Sequence, residues 1–295
     1  MELNQLRVFQ AAARYGGFTR ASEQLHLSQS TVSQHIQQLE REVGCALFLR
    51  VGKRVLLSEA GELLLQYAER IFRDVENAEM ALRELNSLQR GTVRLGVGAT
   101  TLTYRLPKVL GEYKRRFPEI DLVVETGTTE FLLQAVRTHS LDLAIVMSPE
   151  PMAALNLRLL GKEELVVVLN RHHPLARRQV LEPQDLQKLR FIFYPSRTAM
   201  QNLIDSYFEG LEIRPAVAME IESIEAIKSV ARAGLGASIV PLCAVAERTQ
   251  SAHLKVLRVK GRPLFRQLGL VTLDAGMQPA AMRELGARLA RVLGG

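Results

Sequence analysis

The first 44 residues carry apolar positions at the spacing of three short helices. The three segments contain Leu3 to Ala13, Ala21 to Leu25, and Gln29 to Val43. Gly16-Gly17 end the first pattern, and the hydroxyl of Thr19 is placed to cap the second helix. Ser28 is placed to cap the third helix, which ends at Gly44. Three short helices in so few residues predict a small helical domain with its own core.

The third helix separates apolar from polar residues on opposite faces. Its inner face contains Val32, Ile36 and Leu39. The residues expected on its outer face are uncharged hydrogen-bonding side chains: Gln29, Ser30, Thr31, Ser33, Gln34 and Gln37. A two-stranded hairpin, or wing, is predicted next at residues 46–50 and 55–58, with its turn at Gly52-Lys53. The wing carries three cations: Arg50, Lys53 and Arg54.

A long amphipathic helix is predicted from Ser58, its cap, to about residue 85. Apolar residues recur along it every three or four positions, which is the pattern of a coiled-coil seam. The seam includes Leu64, Tyr67, Ile71, Val75, Ala78 and Leu82. Because no local partner for this helix is evident, we expect the seam to pair with the same helix of a second copy.

The remaining chain alternates short apolar strands with amphipathic helices. The predicted strands are 93–97, 122–126, 143–147, 165–169, 191–194, 216–221, 238–240 and 269–273. The predicted helices lie near 104–116, 129–139, 199–209 and 223–233. This alternation predicts an α/β domain with a parallel or mixed sheet and crossover helices.

Composition narrows the class of protein without deciding its function. At 295 residues and 47% apolar content, the chain is expected to hold two or three folded domains. No apolar run approaches the roughly 20 residues of a membrane span, and no secretory signal is recognised, so we expect a cytoplasmic protein. The net charge of +7 is weak support for DNA binding, because residues 1–58 hold only seven lysines and arginines against four glutamates.

A helix, a turn, a polar second helix and a basic hairpin together are suited to binding the DNA major groove. Glutamine amides can pair with adenine edges, and serine and threonine hydroxyls can contact bases or phosphates. Cations on the hairpin suit phosphates, which adds affinity and salt dependence rather than sequence choice. The alternative interpretation is that Gln29, Gln34 and the other outer residues form a polar helix face that contacts only solvent.

The same residues resemble the LysR-type transcriptional regulators. The resemblance rests on Leu3-x-x-Leu6-x-x-Phe9, Gly17-Phe18-Thr19-Arg20-Ala21-Ser22-x-x-Leu25, Leu27-Ser28-Gln29-Ser30-Thr31-Val32-Ser33, Ile36-x-x-Leu39-Glu40, Gly44-x-x-Leu47-Phe48-x-Arg50 and Leu57-Ser58-x-Ala60-Gly61. It implies a multi-domain fold: an N-terminal, mainly α winged helix-turn-helix, a dimerising linker helix, and a two-lobed α/β effector domain of the type II periplasmic-binding-protein kind. It also implies a dimer of dimers on interrupted palindromic DNA, contact with RNA polymerase, and activation of transcription. Gln34 departs from the family's frequent arginine, which suggests less reliance on G·C at that position.

The resemblance divides the chain at residues 1–58, 59–90 and 91–295, with lobe I at 91–161 and 266–295 and lobe II at 162–265. Ligands of such domains bind at the carboxyl ends of strands, between the lobes. The candidate effector-binding residues are Thr100, Thr101, Thr128, Thr129, Ser148, Ser196, Arg197 and Ser223. Hydroxyls at helix starts and a guanidinium favour a small anionic metabolite, although capping alone could explain each threonine and a surface ion pair could explain Arg197.

Other classes of function are less well supported by the sequence. A solute-binding protein of a transporter is the alternative, because the C-terminal two-thirds has that architecture. An enzyme is disfavoured because no triad, phosphate loop or acid pair is evident. We expect no cofactor and no metal, since His172-His173 have no ligand partner at a suitable spacing. Cys45 and Cys243 are both expected to be buried, non-redox residues.

Overall fold

The computed structural model of the chain describes residues 1–51, 54–85, 91–147, 155–196, 198–246, 253–273 and 278–294. The side chains of residues 50, 51, 54, 80, 81 and 83–85 lie outside the described part. The chain forms two units: Met1–Asn86 with Thr138–Ser140, and Ser87–Arg137 with Leu141–Gly295. Each unit has its own hydrophobic core.

The first unit is the expected helical domain with a wing and a long helix. Its elements are α1 (Leu3–Arg14), α2 (Phe18–Leu25), α3 (Gln29–Val43), β1 (Phe48–Val51), β2 (Arg54–Leu57) and α4 (Glu59–Leu85). The prediction for α3 is confirmed, because the Ser28 hydroxyl accepts a hydrogen bond from the Thr31 N–H and Gly44 ends the helix with φ +75°.

The start of α2 differs from the prediction. Gly17 precedes the helix and Phe18 is its first residue, so Thr19 lies inside the first turn and is not the cap. The ring of Phe18 packs edge-on against Phe48, with centroids 5.3 Å apart. Starting the helix at Phe18 places this ring against the domain core, and that contact outweighs the local preference of Thr19 for the cap.

Helix α4 has 27 residues, and the Ser58 hydroxyl accepts from the Gly61 N–H at its start. The expectation that α4 lacks a local partner is wrong. Ala68 is fully buried, and Leu65 and Phe72 pack against the core that α1, α2 and α3 share. The small Ala68 side chain lets the first half of α4 lie close to its own domain.

The second unit is an α/β domain, as predicted. Its helices are α5 (Ala99–Arg105), α6 (Pro107–Arg116), α7 (Thr129–Arg137), α8 (Ala199–Glu209), α9 (Ile224–Arg232) and α10 (Ala280–Leu293). Its strands are β3 (Gly91–Val97), β4 (Ile120–Thr126), β5 (Leu143–Met147), β6 (Leu155–Asn170), β7 (Val180–Leu181), β8 (Arg190–Phe193), β9 (Ala216–Glu220), β10 (Ser238–Pro241), β11 (Leu254–Val259) and β12 (Leu264–Leu273). Short 3-10 helices span Pro174–Arg177, Pro183–Lys188 and Leu242–Ala244.

Among the described residues, eight strands form one mixed sheet in the order β4-β3-β5-β12-β6-β11-β7, with β10 paired to β6. β3, β4 and β5 are parallel, whereas β12 runs antiparallel to both β5 and β6. β8 and β9 form a separate parallel pair. The predicted helix at 104–116 is two helices, because Pro107 lacks an N–H and lies in the first turn of α6.

Candidate functional site

The outer face of α3 is exposed while its inner face is buried. Val32 and Leu39 are fully buried, and Ile36 is 2% exposed. The predicted outer residues are all at least partly accessible: Gln29, Ser30, Gln34 and Gln37 are exposed, and Thr31 and Ser33 are half-buried. The separation of faces that the sequence predicts is therefore present in the structure.

The first turn of α3 holds three hydroxyls in one network. The Ser28 hydroxyl lies 2.7 Å from that of Ser30 and 2.8 Å from that of Thr31. The amide groups of Gln29, Gln34 and Gln37, by contrast, have no hydrogen-bond partner among the described residues. These amides can therefore bind an external partner without breaking a contact within the protein.

The wing follows α3 as an antiparallel pair in which Arg50 lies opposite Val55 and Val51 opposite Arg54. Lys53 lies outside the described residues, as do the side chains of Arg50 and Arg54. The register places the backbones of Arg50 and Arg54 near the end of β1 and the start of β2.

The seam of α4 divides into two parts. Leu64 and Ile71 are half-buried and pack against the core of their own domain. Tyr67, Val75, Ala78 and Leu82 are exposed, and the fractions for Tyr67 and Leu82 are 56% and 62%. An exposed stripe of this kind is available for a second helix.

In the second unit, the candidate residues Thr100, Thr128 and Thr129 meet at one edge of the sheet. Val97 at the end of β3 lies opposite both Thr126 of β4 and Ile145 of β5, so these strands end together. The Thr129 hydroxyl lies 3.4 Å from the N–H and 3.5 Å from the carbonyl of Met147. The Thr128 hydroxyl caps α7 by accepting from the Phe131 N–H.

Two further candidates follow the β8–β9 pair. The Ser196 hydroxyl is 3.4 Å from a carboxylate oxygen of Glu220, and the Ser223 hydroxyl caps α9 by accepting from the Ala226 N–H. Phe193 and Glu220 lie opposite each other, so both loops leave the same end of this small sheet. Ser148 and Arg197 lie outside the described residues.

A buried lysine that is not among the residues predicted from the sequence connects the two groups of candidates. Lys228 of α9 is 1% exposed, and its Nζ donates to the Tyr104 hydroxyl of α5 at 2.7 Å and to the Ala244 carbonyl at 3.1 Å. Nζ is also 2.8 Å from the Glu225 carboxylate, which accepts from the Tyr104 hydroxyl as well. Lys228 shares the buried face of α9 with Ile224 and Ile227, and a cation on an apolar face was the available signal.

A second buried ionic group lies beneath α5. The Arg266 Nε donates to Glu163 at 2.6 Å, and both side chains are nearly inaccessible. These residues are opposite each other on β12 and β6. Arg105 of α5 lies 3.4 Å from the same carboxylate, and the Thr101 hydroxyl is 3.5 Å from Arg266. Thr101, a predicted effector residue, is thus buried against this ion pair.

The two cysteines are in different environments. Cys45 is exposed, so the expectation that it is buried is wrong: it lies on the short connection that leaves α3. Cys243 is half-buried, and burial together with the nearby Glu163 charge raises the pKa of its thiol to about 12. Among the described residues, no group of three His, Cys, Asp or Glu side chains could hold a metal ion.

The part of the chain that the structure describes contains no helix long and apolar enough to cross a membrane.

Together these features define a class of protein: a winged helix-turn-helix DNA-binding domain, joined by a long helix to an α/β domain of the ligand-binding kind. Family models agree with this assignment. The model described as bacterial regulatory helix-turn-helix protein, LysR family, matches residues 3–62, and the LysR substrate-binding domain matches residues 86–294. The chain belongs to the LysR family of transcriptional regulators. The predictions of this family, of its two-domain fold and of a regulator rather than an enzyme are confirmed.

Two relatives extend over most of the chain. A probable RuBisCO transcriptional regulator of Cyanophora paradoxa is 33% identical over 276 residues, covering 92% of this chain and 85% of the relative. A protein of the same description from Trichormus variabilis is 35% identical over 275 residues, covering 91% and 82%.

Solved structures agree on the fold. Full-length OxyR from Pseudomonas aeruginosa superposes with a TM-score of 0.77 at 24% identity, covering 99% of this chain and 97% of that one. Full-length CbnR complexed with its target DNA superposes with a TM-score of 0.75 at 20% identity, covering 99% of this chain and 100% of that one. The effector-binding domain of QuiR in complex with shikimate superposes with a TM-score of 0.62 at 24% identity, covering 69% of this chain and 97% of that one.

Proposed function

We propose that this regulator binds its operator through the outer face of α3 and contacts the flanking phosphates through the wing. The observation that carries the proposal is the exposure of Gln29, Gln34 and Gln37 on the outer face, where their amides have no partner among the described residues. A glutamine amide can donate to and accept from an adenine edge in the major groove. Cations at Arg50, Lys53 and Arg54 supply affinity that does not depend on base sequence.

The regulator acts as a dimer through α4, and two dimers bind an interrupted palindrome. The support is the exposed apolar stripe of Tyr67, Val75, Ala78 and Leu82, which extends past the part of α4 packed on its own domain. A two-fold axis along this stripe presents two copies of α3 to two half-sites. Operator binding requires that the regulator share a compartment with the DNA, so we assign it to the cytoplasm.

The effector is a small metabolite with anionic oxygen atoms, bound between the lobes. The Thr128 and Ser223 hydroxyls use their oxygen to accept from a helix N–H, so each O–H can still donate to a ligand. The Thr100 hydroxyl has no hydrogen-bond partner among the described residues. Three hydroxyl donors near helix starts suit carboxylate or phosphate oxygens. The liganded QuiR domain, of the same fold, was solved with shikimate.

The proposal is tested by footprinting the full chain on candidate promoters, with and without anionic metabolites. The names of the relatives make a RuBisCO gene promoter a suitable first duplex, and the DNA upstream of the regulator's own gene is the second. We expect a footprint with two half-sites that shortens or moves when one metabolite is added. Failure to bind any duplex at low salt would contradict the DNA assignment, and a response only to cationic or apolar compounds would contradict the effector assignment.

A further inference from the structure

One carboxylate spans the short connection between α3 and the wing. Glu40, in the last turns of α3, accepts through Oε1 from the N–H of Leu47 at 2.7 Å and from the N–H of Phe48 at 3.3 Å. Between the helix and the strand lie four residues, 44–47, and Gly44 has a positive φ. The carboxylate therefore fixes the direction in which the chain leaves α3 and enters β1.

The same segment is held from its other side by the start of α4. The Leu47 carbonyl accepts from the Ser58 N–H at 3.0 Å, and the Ser58 hydroxyl donates to the Ala46 carbonyl at 2.6 Å. A side chain at Gly61 would collide with the Leu47 carbonyl oxygen, so α4 approaches this peptide closely. The Leu47 peptide unit thus joins α3, through its N–H, to the start of α4, through its C=O.

Apolar packing fixes the root of the wing but does not by itself set its direction. Leu47 is 1% exposed, and the Phe48 ring lies 5.5 Å from that of Phe9. Hydrophobic contacts of this kind have little directional preference, whereas hydrogen bonds to a carboxylate are short and directional. Among these contacts, the hydrogen bonds that Glu40 accepts are the ones that connect the wing to the helix that carries the proposed base-reading residues.

We propose that Glu40 is a positioning residue for DNA binding, which holds the wing at the angle where its cations meet phosphates while α3 lies in the groove. Glu40 acts through the Leu47 and Phe48 amides and does not itself contact DNA. The inference rests on the proposed contact between the wing and phosphates. The inference predicts a change in DNA affinity opposite to the one expected from charge alone. Removing a negative charge from a DNA-binding domain should strengthen binding, whereas loss of positioning should weaken it.

The test measures the affinity of the full chain for a mixed-sequence duplex across a range of salt concentrations. The variants are Glu40→Ala, Glu40→Asp, which keeps the charge but is one methylene too short, and Glu40→Gln, which keeps the length and an acceptor. We expect Glu40→Ala and Glu40→Asp to bind DNA about tenfold more weakly, because the hydrogen bonds to the carboxylate are lost. The slope of log K against log salt should flatten by about 1 or more, because phosphate contacts are lost. Glu40→Gln should stay within about threefold of the parent.

Glu23→Ala is the charge-matched control, because Glu23 is exposed on α2 and has no side-chain partner among the described residues. Its affinity should be unchanged or higher. Loss of folded protein would lower the active fraction without altering the salt slope, so the slope separates positioning from instability. Hydrogen exchange at the Leu47 and Phe48 amides should also quicken in Glu40→Ala.

Each outcome decides the inference. A salt slope and affinity like those of the parent in Glu40→Ala, or an Asp variant that binds as well as the Gln variant, would overturn it. Lys53→Ala, titrated in parallel, reports on the proposed function itself. If Lys53→Ala flattens the slope but Glu40→Ala does not, only the positioning role fails. If Lys53→Ala has no effect, the wing does not contact phosphate, and both proposals fall.

Discussion

The ammonium group of Lys228 lies 2.7 Å from the hydroxyl oxygen of Tyr104, so a buried cation joins helix α9 directly to helix α5. Both helices begin at proposed effector-binding residues, since Thr100 lies in the first turn of α5 and Ser223 caps α9. A ligand held by those residues would bind within about two turns of this contact. The pair is therefore suited to respond to the ligand, provided that the ligand prefers one arrangement of the two helices.

Replacing Tyr104 by Phe removes the hydroxyl that accepts from Lys228 and donates to Glu225. Because Lys228 keeps the Ala244 carbonyl and the Glu225 carboxylate, we expect the free energy of unfolding to fall by only about 1 kcal/mol, as measured by urea titration. The effector concentration that shifts the footprint should change several-fold. Tyr207→Phe is the control, since the Tyr207 hydroxyl donates to the Arg262 carbonyl away from this contact. Equal effects of both changes on the effector response would contradict a coupling role.

Glu163 and Glu164 are adjacent carboxylates with different expected contributions to stability. Glu163→Gln leaves the buried Arg266 without its counter-charge, and we expect a loss of about 3 kcal/mol or more in the free energy of unfolding. Glu164 pairs with Arg258, which is 60% exposed, so Glu164→Gln should cost less than about 1 kcal/mol. Chemical denaturation of the two variants side by side checks this difference, and similar losses would mean that Arg266 is well solvated.

The two thiols should differ sharply in reactivity. The pKa of Cys243 is raised to about 12 by burial and by Glu163, so at pH 8 almost none of it is the reactive thiolate, whereas Cys45 is exposed. A thiol reagent should therefore modify one cysteine in the native protein and two after denaturation. In Cys45→Ser the native count should drop to zero, and rapid native labelling of that variant would show that Cys243 is accessible.

Local sequence signals predicted α3 better than the strands of the second unit. Ser28 and Gly44 act within one turn of the helix ends they define, so both ends of α3 could be predicted. For β6, the sequence predicts only 165–169, but the strand begins at Leu155. The part that is not predicted, 155–164, contains charged residues such as Glu163, whose burial depends on its pairing with Arg266 of β12. A partner so distant in the chain leaves no periodic pattern to detect.

The same limitation applies to the residues of the candidate sites. The outer face of α3 could be predicted because exposure there follows from helical periodicity alone. The roles of Lys228 and Glu40 could not, because they depend on partners in other elements: Tyr104 is 124 positions from Lys228, and Glu40 accepts from amides across a turn. β11 and α10 were also missed, although both contribute buried leucines.

The exposed part of the α4 stripe predicts which changes should separate the dimer. Val75→Glu places a charge in the proposed seam, beyond the residues that pack on the domain's own core, and should yield monomers with normal thermal stability. Ile71→Glu should both separate the dimer and destabilise the monomer, because Ile71 packs against that core. Light scattering and thermal unfolding distinguish the two results. A Val75→Glu variant that remains a dimer would place the seam elsewhere.

The assignment of base reading to α3 and phosphate binding to the wing predicts two different kinds of defect. Gln29→Ala removes an exposed amide, so it should cost about 1–3 kcal/mol on the operator and relax base preference at one position. Lys53→Ala should weaken binding to every duplex to a similar degree and flatten the salt slope by about 1. Binding measured on the operator, on single-base variants of it and on a mixed-sequence duplex separates the two defects. If both variants weaken all duplexes equally and with the same salt slope, then α3 binds only the backbone, and sequence recognition must reside in other residues of the domain.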